Sequence, residues 1–418
     1  MQIKSIKINF PFFYAICFYL IFISNIFIPP FDIGLGIYFR FVDIFVPLSL
    51  LLIIIDKNRI IPKSFIFFIV FALWIAICLI VNHSNVSYND FFEFYKIIKF
   101  IIITIITISY FKYFPHHFNL FIQITFILLL IINLFQYFNI FHFHDLIVPY
   151  YDPSLLHWST FGKNSLGQPG PKRMLGTAGN PNNNALIFLF YFCWFLWSMF
   201  DEKIKKIKYF QWIFLFLSIT AIILCQSRTA LVIIIVIPII YFIFYHKPIK
   251  YLICILLGTA FIFFILSITN KYSIIYFSDF FKNIVESGEN IVSTNQSVRG
   301  RLDVWKFLID MWKEKPIFGY GPYKNFFYSY TIYSENEYIL YLWRYGIIGI
   351  ILYIFWYLFP IIKYENKKFK IFITPFYLLF GLSMMIAAIT NNPISHPMIS
   401  TLLAIAMGHH FALRKAPF

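Results

Sequence analysis

The chain has 418 residues, 60% hydrophobic and 12% charged, with a mean hydropathy of +0.76 and a formal net charge of +16. This balance excludes a soluble globular domain and fits a polytopic membrane protein in contact with a lipid bilayer. The positive excess requires no nucleic acid, because lysine clusters at the cytoplasmic ends of membrane helices explain most of it.

Apolar stretches long enough to cross about 30 Å of hydrocarbon predict helices near 10–28, 38–55, 64–81, 92–111, 118–138, 183–200, 210–226, 229–245, 250–268, 338–360, 371–390 and 397–413. The first is too long for a signal-peptide core and meets Pro29-Pro30 without a small-residue cleavage site, so it is expected to remain as an anchor. The sum is an all-α polytopic transmembrane helical bundle of about twelve spans. Connections after even-numbered spans, with Lys4 and Lys7, carry 18 of the 34 Lys and Arg residues. The positive-inside rule therefore places them, and both termini, in the cytoplasm.

Two long loops, 139–182 and 269–337, then fall on the outer side. The chain divides into N-terminal helices (1–138), a first outer loop (139–182), central helices (183–268), a larger outer loop with an amphipathic helix (269–337) and C-terminal helices (338–418). No internal repeat relates the halves, which counts against a transporter built from inverted repeats. Cys17, Cys78, Cys193, Cys225 and Cys254 fall within or at the ends of apolar runs and read as packing residues.

Topology leaves unexplained the basic residues of the outer side, among them Arg173, Arg228, Arg299, Arg301, Lys324 and Arg344. They suggest an anionic ligand. Arg228 sits in a short polar step between two apolar runs, at or just inside the boundary, where an arginine is costly unless paired or facing a cavity; a snorkelling or capping role is the alternative. Arg173 precedes Gly176, Gly179 and Asn180-Pro181, which reads as an N-cap followed by proline at the first helical position. That aims a helix N-terminus at the outer surface, suited to phosphate, although a well-capped span needs no ligand.

Within 299–315, Leu302, Trp305, Leu308, Ile309 and Trp312 recur at helical spacing, predicting an amphipathic helix at the membrane interface. Arg299 and Arg301 at its start could grip diphosphate oxygens in bidentate fashion. Glu335-Asn336-Glu337 precede the span beginning at Tyr338, and a partly desolvated carboxylate there would suit a general base. An acidic first helical turn is the plainer reading, and fits Glu337 better than Glu335. Lys96 and Lys99 form a second basic pair near the outer end of the fourth span, either pairing with Glu93 or lining the same cavity. Only His142 and His144 are closely spaced outer histidines, so no metal site is expected; nor is there a Walker-type or GxGxxG loop for a nucleotide cofactor.

Gly179–Asn182, Ser227-Arg228, the segments Arg301–Trp305 and Pro316–Gly321, and Asn336 followed by Gly346–Gly349 together resemble the shared core of the O-antigen ligase and polymerase membrane family, over about 165–350. Ligases of that family usually carry a histidine where this chain has Glu335, so the polymerase branch is the better match. The resemblance implies glycosyl transfer between undecaprenyl-diphosphate-linked oligosaccharides on the periplasmic face of the bacterial inner membrane. It needs no cofactor, since the donor carries its own diphosphate leaving group. Arg228 and Arg301 would stabilise that leaving group and Glu335 would take the acceptor proton. Arg173, Asn180, Arg299, Lys324, Asn336, Glu337, Tyr338, Lys96 and Lys99 are the expected substrate-binding residues. A chain-length regulator membrane protein is a further partner left open. The alternatives are a ligase acting on lipid A core and a flippase for lipid-linked glycans.

Overall fold

The computed structural model describes residues 9–29, 31–32, 38–147, 173–201, 208–269, 296–326, 334–365 and 368–415. Among them are thirteen α-helices of 13 residues or more: α1 (Phe10–Phe27), α2 (Val42–Ile55), α3 (Ile66–Val81), α4 (Phe92–Tyr113), α5 (His117–Phe138), α6 (Pro181–Ser198), α7 (Lys208–Cys225), α8 (Arg228–Phe244), α9 (Ile249–Thr269), α10 (Gln296–Glu314), α11 (Glu337–Leu358), α12 (Pro375–Ala387) and α13 (Pro397–Lys415). Twelve coincide with the apolar stretches; α10 is the amphipathic one. Two antiparallel ribbons, Phe31–Asp32 with Tyr38–Phe39 and Ile362–Glu365 with Lys368–Ile371, are small additions to an otherwise helical protein. Five helical segments, Phe10–Phe27, Lys63–Val81, His117–Phe138, Ile249–Ile268 and Glu337–Ile361, are long and apolar enough to cross a membrane. Much of the two long predicted loops, 148–172 and 270–295, lies outside the described residues.

Helix α6 is the centre: every residue from Asn184 to Leu196 is buried. Helix α13 runs beside α4 in the same direction, and a Cβ on Gly408 would collide with Thr107 and crowd the Thr104 carbonyl. Small residues permit such close approach between helices in lipid, where apolar burial against water supplies no drive. The threonines keep their hydroxyls satisfied on their own helix, at Phe100 O and Ile103 O (2.8 Å each). Large apolar side chains instead face outward along α2, α3 and α9, including Leu51, Ile54, Ile66, Leu73, Leu257 and Phe261. Such an apolar exterior suits a hydrocarbon solvent.

Helix α11 is broken at Gly346, whose φ of 66° and ψ of −165° interrupt the ladder. Backbone polar groups freed at membrane depth must be satisfied by protein. Here the turn 316–321 supplies the partners: Tyr320 N–H donates to Trp343 O (3.0 Å), Gly321 N–H to Arg344 O (2.7 Å), and Ile347 N–H to Pro316 O (3.0 Å). The Trp74 indole takes the remaining Tyr345 carbonyl at 3.0 Å. The Pro316–Gly321 segment is thus a plug in a broken helix. Asn82, at the end of α3, clasps the same turn by donating to Gly319 O (3.1 Å) and accepting from Lys315 Nζ (2.7 Å).

Candidate functional site

Contacts bring the starts of α2, α4, α6, α8, α11 and α13 to one end of the bundle. The linking piece is 388–396, between α12 and α13. Glu337, fully buried in the first turn of α11, accepts from Ile394 N–H (3.0 Å), Ser395 N–H (2.6 Å) and Tyr353 Oη (2.9 Å), while its own N–H donates to Ala388 O (2.8 Å). Asn392 Nδ2 donates to Ser334 O at 2.6 Å. Thr390 hydrogen-bonds Thr229, the neighbour of Arg228. Residues 388–396 therefore join Arg228 on one side to the 334–337 segment on the other.

Of the three expected catalytic residues, Arg301 and Glu335 meet directly: Arg301 Nε donates to Glu335 Oε2. Their side chains remain 31% and 41% exposed, so the pair stands open to a ligand. Helix α10 carries Arg301 to this place because its apolar stripe docks on protein: Leu308 is buried with Trp343, Leu340 and Tyr320, with Val304 and Met311 beside them. Its outer edge holds Asp310 against Lys313 (2.7 Å), which keeps that carboxyl below the usual range. Of Arg299 only the backbone, in the first turn of α10, is described.

Arg228 opens α8 behind Ser227 at the N-cap and is partly buried. Arg173 is held close by: it donates through Nε to Cys225 O (3.1 Å) and through Nη2 to Gln226 O (3.1 Å) and Asn182 Oδ1 (3.0 Å). It thereby ties the α7–α8 joint to the start of α6. Asn180 caps α6, accepting from Asn182 N–H (2.9 Å) and Asn183 N–H (3.3 Å), with Pro181 at the first helical position, as its sequence suggests. Asn336 caps α11 by accepting from Ile339 N–H (3.1 Å), and Tyr338 Oη donates to Met385 O (2.7 Å). Arg173, Asn180, Asn336, Glu337 and Tyr338 are thus engaged in assembling the site.

The lysines form a separate group at the start of α4. Lys99 is buried against Asp43 (2.6 Å), which also accepts from Tyr95 Oη (2.6 Å). Lys96 pairs with Glu93 at 2.9 Å, as one of its two sequence readings anticipates, yet its side chain stays one-third exposed. Lys324 shares Glu93 at 3.0 Å and donates to Asn89 O at 2.9 Å, and its backbone N–H is taken by Asp90 Oδ1 at 2.9 Å. Burial pushes the Lys324 ammonium down to about 8 despite Glu93. Sequence reasoning missed the residues that connect these groups, Thr390, Asn392, Ser395 and His396. Their signal is the polar run TNNPISH between two apolar stretches, which by itself resembles an ordinary interhelical turn.

The arrangement offers guanidinium groups for an anion, a carboxylate that can exchange its arginine for a proton donor, and a bundle end that surrounds both. The family model described as O-Antigen ligase matches residues 213–354, which include Arg228, Arg301, Glu335 and the break at Gly346 in helix α11. No curated protein matches the chain. The match falls on the motif-bearing part of the sequence and covers 142 of its 418 residues; over that part the chain is similar to the O-antigen ligases, and its apolar helices fit a membrane-integral protein.

Proposed function

We propose that the chain polymerises polyprenyl-diphosphate-linked oligosaccharide repeat units at the outer face of the bacterial inner membrane. In this reading all twelve apolar helices cross the bilayer, both termini are cytoplasmic and the Arg228–Glu335 end faces the periplasm. The observation that carries it is the Arg301–Glu335 pair: an exposed carboxylate held by a guanidinium, joined through 388–396 to Arg228. The acceptor hydroxyl attacks the anomeric carbon of the donor sugar, whose bond to the diphosphate oxygen breaks with its electron pair. The hydroxyl proton passes to Glu335, and the departing diphosphate is stabilised by Arg228 and Arg301. A diphosphate on Arg301 takes the place of the carboxylate there and leaves Glu335 free to accept the proton. Substrate arrival and base activation are then one event.

The test is purified protein in liposomes with synthetic polyprenyl-diphosphate repeat units, without nucleotide or added metal, scored as a gel ladder. A wild-type ladder is expected. Arg228→Ala should slow it about 10²–10³-fold, the usual loss for one preorganised charge-stabilising donor. Glu335→Gln should slow it about 10²–10⁴-fold, in the range of general-base removal. A wild-type protein inert toward repeat units, yet active once lipid A core is supplied, overturns the polymerase reading. The description of the matching family names that second reading, a ligase, and the family covers both branches.

A further inference from the structure

Arg40, Lys96 and His396 form a basic cradle that the reaction above does not use. Arg40, just before α2, is only 8% exposed, and its Nη1 is buried without a hydrogen-bond partner. His396 Nδ1 is likewise buried and unpartnered. The three residues converge. The Asp43 carboxylate accepts from Lys99 Nζ (2.6 Å) and from Arg40 N–H (3.1 Å), which sets the start of α2 against α4. Helices α4 and α13 run parallel, with Gly408 against Thr107. Counting back from that contact, Lys96 lies 11 residues before Thr107 and His396 lies 12 before Gly408. At 1.5 Å per residue these are ~17 and ~18 Å, the same height. Arg40 and Lys96 stand close enough for their charges to bear on His396.

The local carboxylates are already engaged: Asp43 by Lys99 and Tyr95, and Glu93 by Lys96 and Lys324. A buried guanidinium nitrogen without an acceptor is unfavourable, and although the Asp43 charge also bears on Arg40, an anion at Nη1 would complete the cradle. We infer that Arg40, Lys96 and His396 bind the diphosphate of the acceptor lipid, while Arg228 and Arg301 bind that of the donor. This rests on the polymerase reading. An acceptor reacts at the sugar end farthest from its own lipid, so its diphosphate must be held away from the reacting bond. The 388–396 segment supplies that separation, with Thr390 beside Arg228 at one end and His396 in the cradle at the other. Below Arg40, α2 exposes Ile44, Leu48, Leu51 and Ile55 along one side, an apolar track for an isoprenoid chain.

Full-length protein in zwitterionic nanodiscs would be titrated with undecaprenyl diphosphate and the bound lipids counted by native mass spectrometry. Two are expected on wild type, one on Arg40→Gln and one on Arg228→Ala. In the ladder assay with donor saturating, Arg40→Gln should raise the acceptor KM about ten-fold, the loss of a charge-assisted contact, with kcat kept within about two-fold. Lys96→Gln, at a partly exposed position, should move KM in the same direction and guards against misfolding of the Arg40 variant. Two lipids on Arg40→Gln, or an unchanged acceptor KM in both variants, overturns the inference. So does displacement of the Arg40-dependent lipid by phosphatidylglycerol in the nanodisc, which would assign the cradle to bulk phospholipid. Lipid counting needs no turnover. A wild type that makes no ladder but loses one of two lipids on Arg40→Gln defeats the polymerase reading and leaves the second anion site standing.

Discussion

Glu335 and Glu337 stand two residues apart in opposite surroundings. Glu337 is sealed in protein with two backbone N–H donors and one tyrosine hydroxyl, whereas Glu335 is 41% exposed with one arginine. Glu337→Ala strands three donors, two of them fully buried and each of those worth roughly 1–3 kcal/mol when left unsatisfied. We expect the thermal unfolding temperature to fall and ladder formation to vanish together. Glu335→Gln should leave unfolding unchanged while activity falls, and measuring both quantities on both variants separates the roles. His396 gives a pH signature. Burial, with Arg40 and Lys96 nearby, pushes it down to about 3, below the ordinary 6.5. The unfolded chain then binds this proton first, so the His396 contribution to stability falls as pH drops from about 6.5 towards 3 and is flat above 6.5. Between pH 7 and 4, wild type should lose stability more steeply than His396→Gln. Equal slopes would mean that His396 titrates normally.

At the scale of elements, the break in α11 determines how the 316–321 turn and helix α10 are held. A Cβ on Gly346 would fall on the Ile317 carbonyl, and the residue sits at positive φ. Gly346→Ala must therefore straighten α11 and expel the 316–321 turn, which carries Tyr320 and with it the seat of α10. We expect loss of activity without any change at Arg301 or Glu335, and new proteolytic cleavage near 315–321. An intact turn in the variant would refute the plug. The sequence displays much of the local structure: helix limits, the Asn180 cap and the amphipathic stripe are local patterns, and each reappears. The partners are another matter. Arg301 meets Glu335 across 34 residues and Asn392 meets Ser334 across 58, and no local period records such pairings. The polar run after α12 contains no acid, arginine or lysine to mark it. Arg40 falls at the edge of the apolar stretch 38–55, and nothing in the sequence singles it out until its burial is seen.

For the whole molecule, twelve helices match the apolar stretches, although among the described residues five segments are individually long and apolar enough to cross a membrane. Helices such as α6 and α13 are held from within, by burial on nearly every side. Topology is checked by impermeant thiol labelling in a cysteine-free background. Cysteines placed at 57 and 246 should react only after the membrane is opened, and one placed at 391 should react in intact spheroplasts. The reverse pattern would invert the protein and remove the proposed periplasmic site. The 388–396 segment has a further consequence, for modularity. It lies outside the matched region 213–354, yet it supplies the donors that hold Glu337 and the hydroxyl that meets Thr229. The matched region is therefore not a self-contained cassette: a chimera that replaces 213–354 alone leaves behind the segment that holds its Glu337 and meets its Thr229, so the two pieces have to be exchanged together.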